Sequence, residues 1–118
     1  MAANIDHGVI LGALGSVHTD GPATPAPVVP PTGMVIVAIQ FISKSTPSQL
    51  VAENPDKFFS TEHAANSLSA SSETVDEGSG GIALSNCEFP AGMTIYGRWT
   101  SATFPHDSTG GVICYFGY

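Results

Sequence analysis

Residues 33–43 read GMVIVAIQFIS, the strongest strand in the chain. With a period of two, Val35, Val37, Ile39 and Phe41 line one face. Met34, Ile36, Ala38 and Ile42 line the other, where Gln40 is the polar exception. A strand in a two-layer β protein buries one face and shows the other to water. Here both faces are apolar, so the second also needs cover. Residues 112–118, VICYFGY, pose the same problem. Val112, Cys114, Phe116 and Tyr118 share one face, and Ile113 and Tyr115 take the other. The chain's own N-terminal segment or another subunit could supply the cover. Contiguous exposed apolar surface marks interaction sites on soluble proteins, which favours a subunit. Each buried Tyr or Phe contributes roughly 1.5–3 kcal/mol, so a few are enough to drive specific assembly.

The rest of the last third is also β in character. Met93–Phe104 alternates, with Met93, Ile95 and Trp99 one way and Thr94, Tyr96, Arg98 and Thr100 the other. Phe89-Pro90-Ala91-Gly92 reads as a turn. Ile82–Ser85 reads as a short strand, and Pro105–Gly111 as a hairpin connection. Residues 46–60 are irregular, punctuated by Pro47 and Pro55. Short helical turns are expected at Ser48–Glu53 and Ser60–Asn66, the second capped by Ser60 or Thr61. Residues 67–81 are polar and read as a loop or a weak edge strand carrying Thr74 and Val75, and no repeat recurs at a fixed period. The expected fold class is all-β, a small antiparallel β-sandwich or jelly-roll-like barrel with an extended N-terminal arm.

That arm is residues 1–32, and the β domain is 33–118. Gly8-Val9-Ile10-Leu11-Gly12-Ala13-Leu14 is a short apolar segment whose glycines argue against a helix. Residues 21–32, GPATPAPVVPPT, are a Pro-rich spacer restricted to extended backbone, roughly 3 Å per residue. The arm is expected to be held in place rather than free. It does not read as a signal peptide, because Asp6 precedes the apolar run and no positive charge does. It is too short and Gly-broken to span a bilayer.

A chain of 118 residues is one domain's worth of protein. Charged residues make up 11%, against about 25% in an average soluble domain. The formal net charge is −7, and Lys44, Lys57 and Arg98 are the three basic residues. Phosphate backbones and anionic membranes need clustered Lys or Arg, so neither nucleic acid nor membrane is an expected partner. Cys87 and Cys114 form no C-x-x-C pair. They read as buried free thiols, with one bridge between them as the alternative.

Catalytic constellations are missing. His7, His18, His63 and His106 have no metal-ligand spacing and read as solvated arm or loop residues. No G-x-S-x-G elbow accompanies the many serines. Asp76-Glu77 reads as a solvated acidic pair rather than a calcium site, and Gly78-Ser79-Gly80-Gly81 lacks the lysine of a phosphate loop. No cofactor is expected. Arg98, beside Trp99 in mid-strand, has two readings. It meets a carboxylate across an interface, or it pairs with Glu88 or Asp107 of its own domain.

Residues 89–100, FPAGMTIYGRWT, followed by residues 110–117, GGVICYFG, resemble the ending of small capsid-associated proteins of tailed marine bacteriophages. The shared pattern is G-x-T-I-Y-G-R-W-T … G-x-V-I-x-Y. The Pro-rich arm lies outside it. The resemblance implies a capsid decoration, or cement, protein. It would bind the outer surface of the major capsid lattice after synthesis in the host cytoplasm, and would assemble as a homo-oligomer. The alternative is a tail or fibre component whose loops 67–81 and 105–111 contact a host receptor. A cupin-like enzyme would need His and Glu ligands converging on strands, which the sequence does not offer. The expected assembly surface comprises Val9, Ile10, Leu11, Leu14, Ile36, Arg98, Tyr115 and Tyr118.

Overall fold

The computed structural model describes residues 13–20, 26–55, 57–62, 81–106 and 110–118. Five strands run through them: β1 (Ser16–Thr19), β2 (Val35–Phe41), β3 (Gln49–Ala52), β4 (Thr94–Thr103) and β5 (Val112–Gly117). All pair antiparallel in one sheet of order β1-β5-β2-β4-β3. The all-β expectation is met, and the three longest strands fall where alternation places them.

β2 is central, bonded to β4 on one side and β5 on the other. Its two edges do not advance in step. Between the Ile36 and Ile39 pairs β2 advances three residues, β4 four (Trp99 to Ile95) and β5 two (Phe116 to Cys114). This irregularity is a β-bulge at Val37. One extra residue moves everything before it to the opposite face. Ile36 therefore joins Ile39 and Phe41, facing Trp99, Ile95, Cys114 and Phe116 in one buried cluster. Strict alternation assigns Ile36 to the second face. The bulge corrects this: Ile36 is fully enclosed within its own chain and unavailable to a partner. A second register shift, at Thr100 of β4, keeps Ala102 on the core side with Trp99.

The layer over this core is made of loops. Val28, Met34, Phe58, Phe59, Leu84 and Phe89 pack on the cluster. Trp99 is fully buried, its ring edge-on to Phe59 at 5.3 Å, and its indole N–H donates to the Phe59 carbonyl at 3.1 Å. A buried Trp needs such a partner for its N–H. The indole also lies over Gly97, where a Cβ would sit 2.7 Å from the ring. Phe41 stacks on Phe89 at 5.0 Å and meets Phe104 edge-on at 6.5 Å.

Several local expectations change. Residues 49–52 are a strand, not a helical turn: Leu50 and Ala52 bury on one face while β4 pairs them. Residues 82–85 are not a strand; a bond from Leu84 N–H to the Ser60 carbonyl holds them as coil over the core. At Ser60–Asn66 the described part, 60–62, is not helical. Pro90-Ala91-Gly92-Met93 closes a turn, with Gly92 at φ +88°. Residues 104–111 are no hairpin connection, because β2 lies between β4 and β5 and the link crosses over. The sheet also reaches past the expected boundary at residue 32. β1 pairs with β5, and Val28 exchanges both main-chain bonds with Ala102.

Ile36→Ala should destabilise the domain by about 2–5 kcal/mol in urea unfolding, the range for a buried cavity. An Ile36 on the second face would cost far less. Gly97→Ala, which pushes the indole off its seat, should cost about 1–3 kcal/mol and alter Trp99 fluorescence.

Candidate assembly surface

The face of the sheet turned from the core carries two rows of side chains. Tyr96, Ala38, Tyr115 and Ser16 stand abreast across β4, β2, β5 and β1. Thr94, Gln40, Ile113 and His18 form the next row. Ile42 and Val37 flank them along β2. The loop residues Val28, Met34, Phe58, Phe59, Leu84 and Phe89 pack on the core cluster, on the opposite side of the sheet. Tyr96 is 58% exposed and Ile42 45%. Ala38, between the two tyrosines, is buried by its neighbours. The Tyr115 hydroxyl donates to Gln40 Oε1 at 3.1 Å, which fixes its ring over the sheet.

One end of this face is closed by an ion pair. Arg98 Nε donates to Glu53 Oε1 at 2.6 Å and Nη2 to Oε2 at 3.2 Å, while Nη1 donates to the Tyr118 main-chain oxygen at 2.8 Å. This is the two-pronged geometry that guanidinium favours. Arg98 therefore pairs within its chain, but with Glu53 rather than Glu88; Asp107 lies outside the described residues. The bond to Glu53 raises the Arg98 pKa, and the bond from Arg98 holds the Glu53 carboxyl below its ordinary range. The pair is solvent-exposed, so its contribution is small.

The remaining expected residues are scattered. Val9, Ile10 and Leu11 lie outside the described residues. Leu14 is half-buried where the chain approaches β1, and Tyr118 is exposed past β5. Tyr115 is on the open face and Ile36 is not. Tyr96, Ile42 and Ile113 are additions. Tyr96 was hidden in a row that reads Thr-Tyr-Arg-Thr, polar by composition.

His18 is not a loop residue; it sits on β1, and its Nε2 donates to the Gly110 carbonyl at 2.6 Å. A polar cleft of about 390 Å³ lies between Ser48, Glu62 and Cys87. Glu62 there accepts from the Thr61 hydroxyl and the Gln49 amide. Among the described residues no group of three His, Cys, Asp or Glu side chains could hold a metal ion.

Both cysteines are free, and they differ. Cys87 is exposed rather than buried, while Cys114 is buried and its thiol is pushed up to about 12 by desolvation. A disulfide reagent should titrate one thiol in the folded protein and both in denaturant. A lowered carboxyl pKa stabilises the fold above the ordinary carboxylate range, and this is lost as pH falls through the lowered value. Glu53→Gln should therefore lower stability slightly at pH 7, with the difference from wild type closing in acid denaturation below pH 4. Comparison with known proteins finds no matching family model, no matching curated protein and no matching solved structure.

Proposed function

We propose that the chain is a non-enzymatic structural module that docks its open sheet face on a protein lattice, as a decoration protein on the outside of a bacteriophage capsid. The observation that carries the assembly reading is the Tyr96–Ala38–Tyr115 row, flanked by Ile42 and Ile113, on the face turned from the core, where Tyr96 and Ile42 are exposed. Side chains of this size release roughly 1.5–3 kcal/mol each when a partner takes them out of water. The face is electrically quiet, since Arg98 is matched by Glu53. A chain of net charge −7 can therefore approach a neighbour here with little repulsion.

The capsid assignment rests on the resemblance of residues 89–100 and 110–117 to capsid-associated proteins. Its physical logic is multivalency. Modest contacts repeated by lattice symmetry add up to firm attachment, which suits a small module with a neutral docking face. The partners in this reading are the major capsid protein and further copies of the chain, with neither nucleic acid nor membrane in contact.

Quantitative mass spectrometry of purified particles tests the placement. A decoration protein is expected in numbers that scale with the capsid lattice and on tail-less heads. A few copies confined to tails would replace this reading with the tail or fibre one. Tyr96→Glu tests the surface. It should abolish attachment to heads while changing the stability of the isolated chain by only about 0.5 kcal/mol, as exposed substitutions do. Undiminished attachment would remove the open face from the proposal.

A further inference from the structure

The bulge that fills the core also loosens the sheet. Neither β4 nor β5 offers Val37 a register partner, and an unpaired residue interrupts the ladder and adds local twist. The interruption falls between the two strands that carry the tyrosine row. Tyr96 stands on β4 and Tyr115 on β5, with β2 between them. The spacing and tilt of the two rings therefore depend on what holds β4 and β5 to each other at this point.

One side chain does so directly. Gly97 turns toward the Trp99 indole on the core side, so Arg98 shares the opposite face with Tyr96. Arg98 Nη1 donates to the Tyr118 main-chain oxygen at 2.8 Å, one residue past the end of β5. To reach that oxygen from β4, the side chain has to cross β2. The crossing lies near Val35 and Val37, because Ile36 is opposite Trp99 and Val35 is opposite Gly117. Val35 is 5% exposed although it lies outside the core cluster, as a side chain beneath such a crossing should be. Val37 leans over β5 here, so that a Cβ on Gly117 would lie 3.0 Å from its methyl group.

Glu53 holds the other end. It follows β3, and its N–H donates to the Arg98 carbonyl at 2.9 Å. Its two carboxylate oxygens take Nε and Nη2, which fixes the guanidinium plane and leaves Nη1 for Tyr118. A single side chain thus ties the residues that follow β3 and β5 to the middle of β4. An exposed ion pair contributes little to stability. Its effect here is on geometry, because a surface that is already fixed loses less freedom when a partner binds.

We propose that Arg98 is a positioning residue of the docking face: anchored by Glu53, it stitches β4 to the end of β5 over the bulge and fixes Tyr96 and Tyr115 in the arrangement that a partner meets. The inference rests on the docking reading of that face and adds how the face is kept in shape.

The test uses the full chain and purified heads lacking it. Arg98→Met keeps the aliphatic stem and removes all three side-chain bonds. Glu53→Ala removes the anchor and leaves the Arg98 charge in place. Each variant is expected to bind heads several-fold more weakly while its urea midpoint moves little. Each should also speed amide exchange at Gly117 several-fold and leave Ile39 and Cys114 unchanged. The proposal is overturned by full binding of both variants, by wild-type exchange at Gly117, or by a loss of binding that only tracks a large fall in the urea midpoint. Loss with Arg98→Met but not with Glu53→Ala also overturns it, because Arg98 would then touch the partner directly. Tyr96→Glu, measured alongside, separates two failures. Heads that reject Tyr96→Glu but bind the other two variants fully sink the stitch alone, and heads that bind all three sink the docking reading as well.

Discussion

Val37 is the residue on which the packing depends. It is the odd residue in a central strand bonded on both edges, and the ladder absorbs it as a bulge. Without it Ile36 would face away from Trp99 and Phe116, and the core would lose a large aliphatic side chain at its centre. With it, β2 places Ile36, Ile39 and Phe41 on one side and keeps Val37, Ala38 and Gln40 on the other. The buried cluster and the row of side chains on the opposite face are two results of one irregularity.

The second constraint is a shortage of strands. A single sheet with no helix in the described residues must find its second layer in loops. It does so by anchoring them on aromatic side chains. Phe89 stacks on Phe41, and Phe59 meets Trp99 with both its ring and its carbonyl. Gly97 makes room for the indole. These contacts hold the described loops at Phe59 and Phe89 to one side of the sheet, and the tyrosine row lies on the other.

Much of this was legible in the residues, and the gaps have physical causes. β2, β4 and β5 are long enough for alternation to reveal them. β3 and β1 have four residues each and little local signal, so they form because a neighbouring edge pairs with them. Pro47 and Pro55 around β3 suggested irregular chain, yet both lie outside its ladder. Alternation cannot reveal a bulge, which is why Ile36 was assigned to the wrong face. That the sheet has a second apolar face could be read from Ala38, Ile113 and Tyr115. That Tyr96 completes it could not, because its same-strand neighbours are polar and its apolar neighbours are in other strands. The partner of Arg98, Glu53, is distant in sequence and became evident only once β3 was set beside β4.

The crossover that separates β4 from β5 also orders events in time. Both neighbours of β2 come from the last third of the chain, so the central ladder has no partner until β4 and β5 have been synthesised. Sheets built from such distant pairings fold slowly because loop closure precedes any reward. During that interval residues 33–43 present an apolar strand without Pro or charge, the type of segment that aggregates when exposed. High-level synthesis of this chain should therefore be limited by the lifetime of unpaired β2 more than by the stability of the finished sheet.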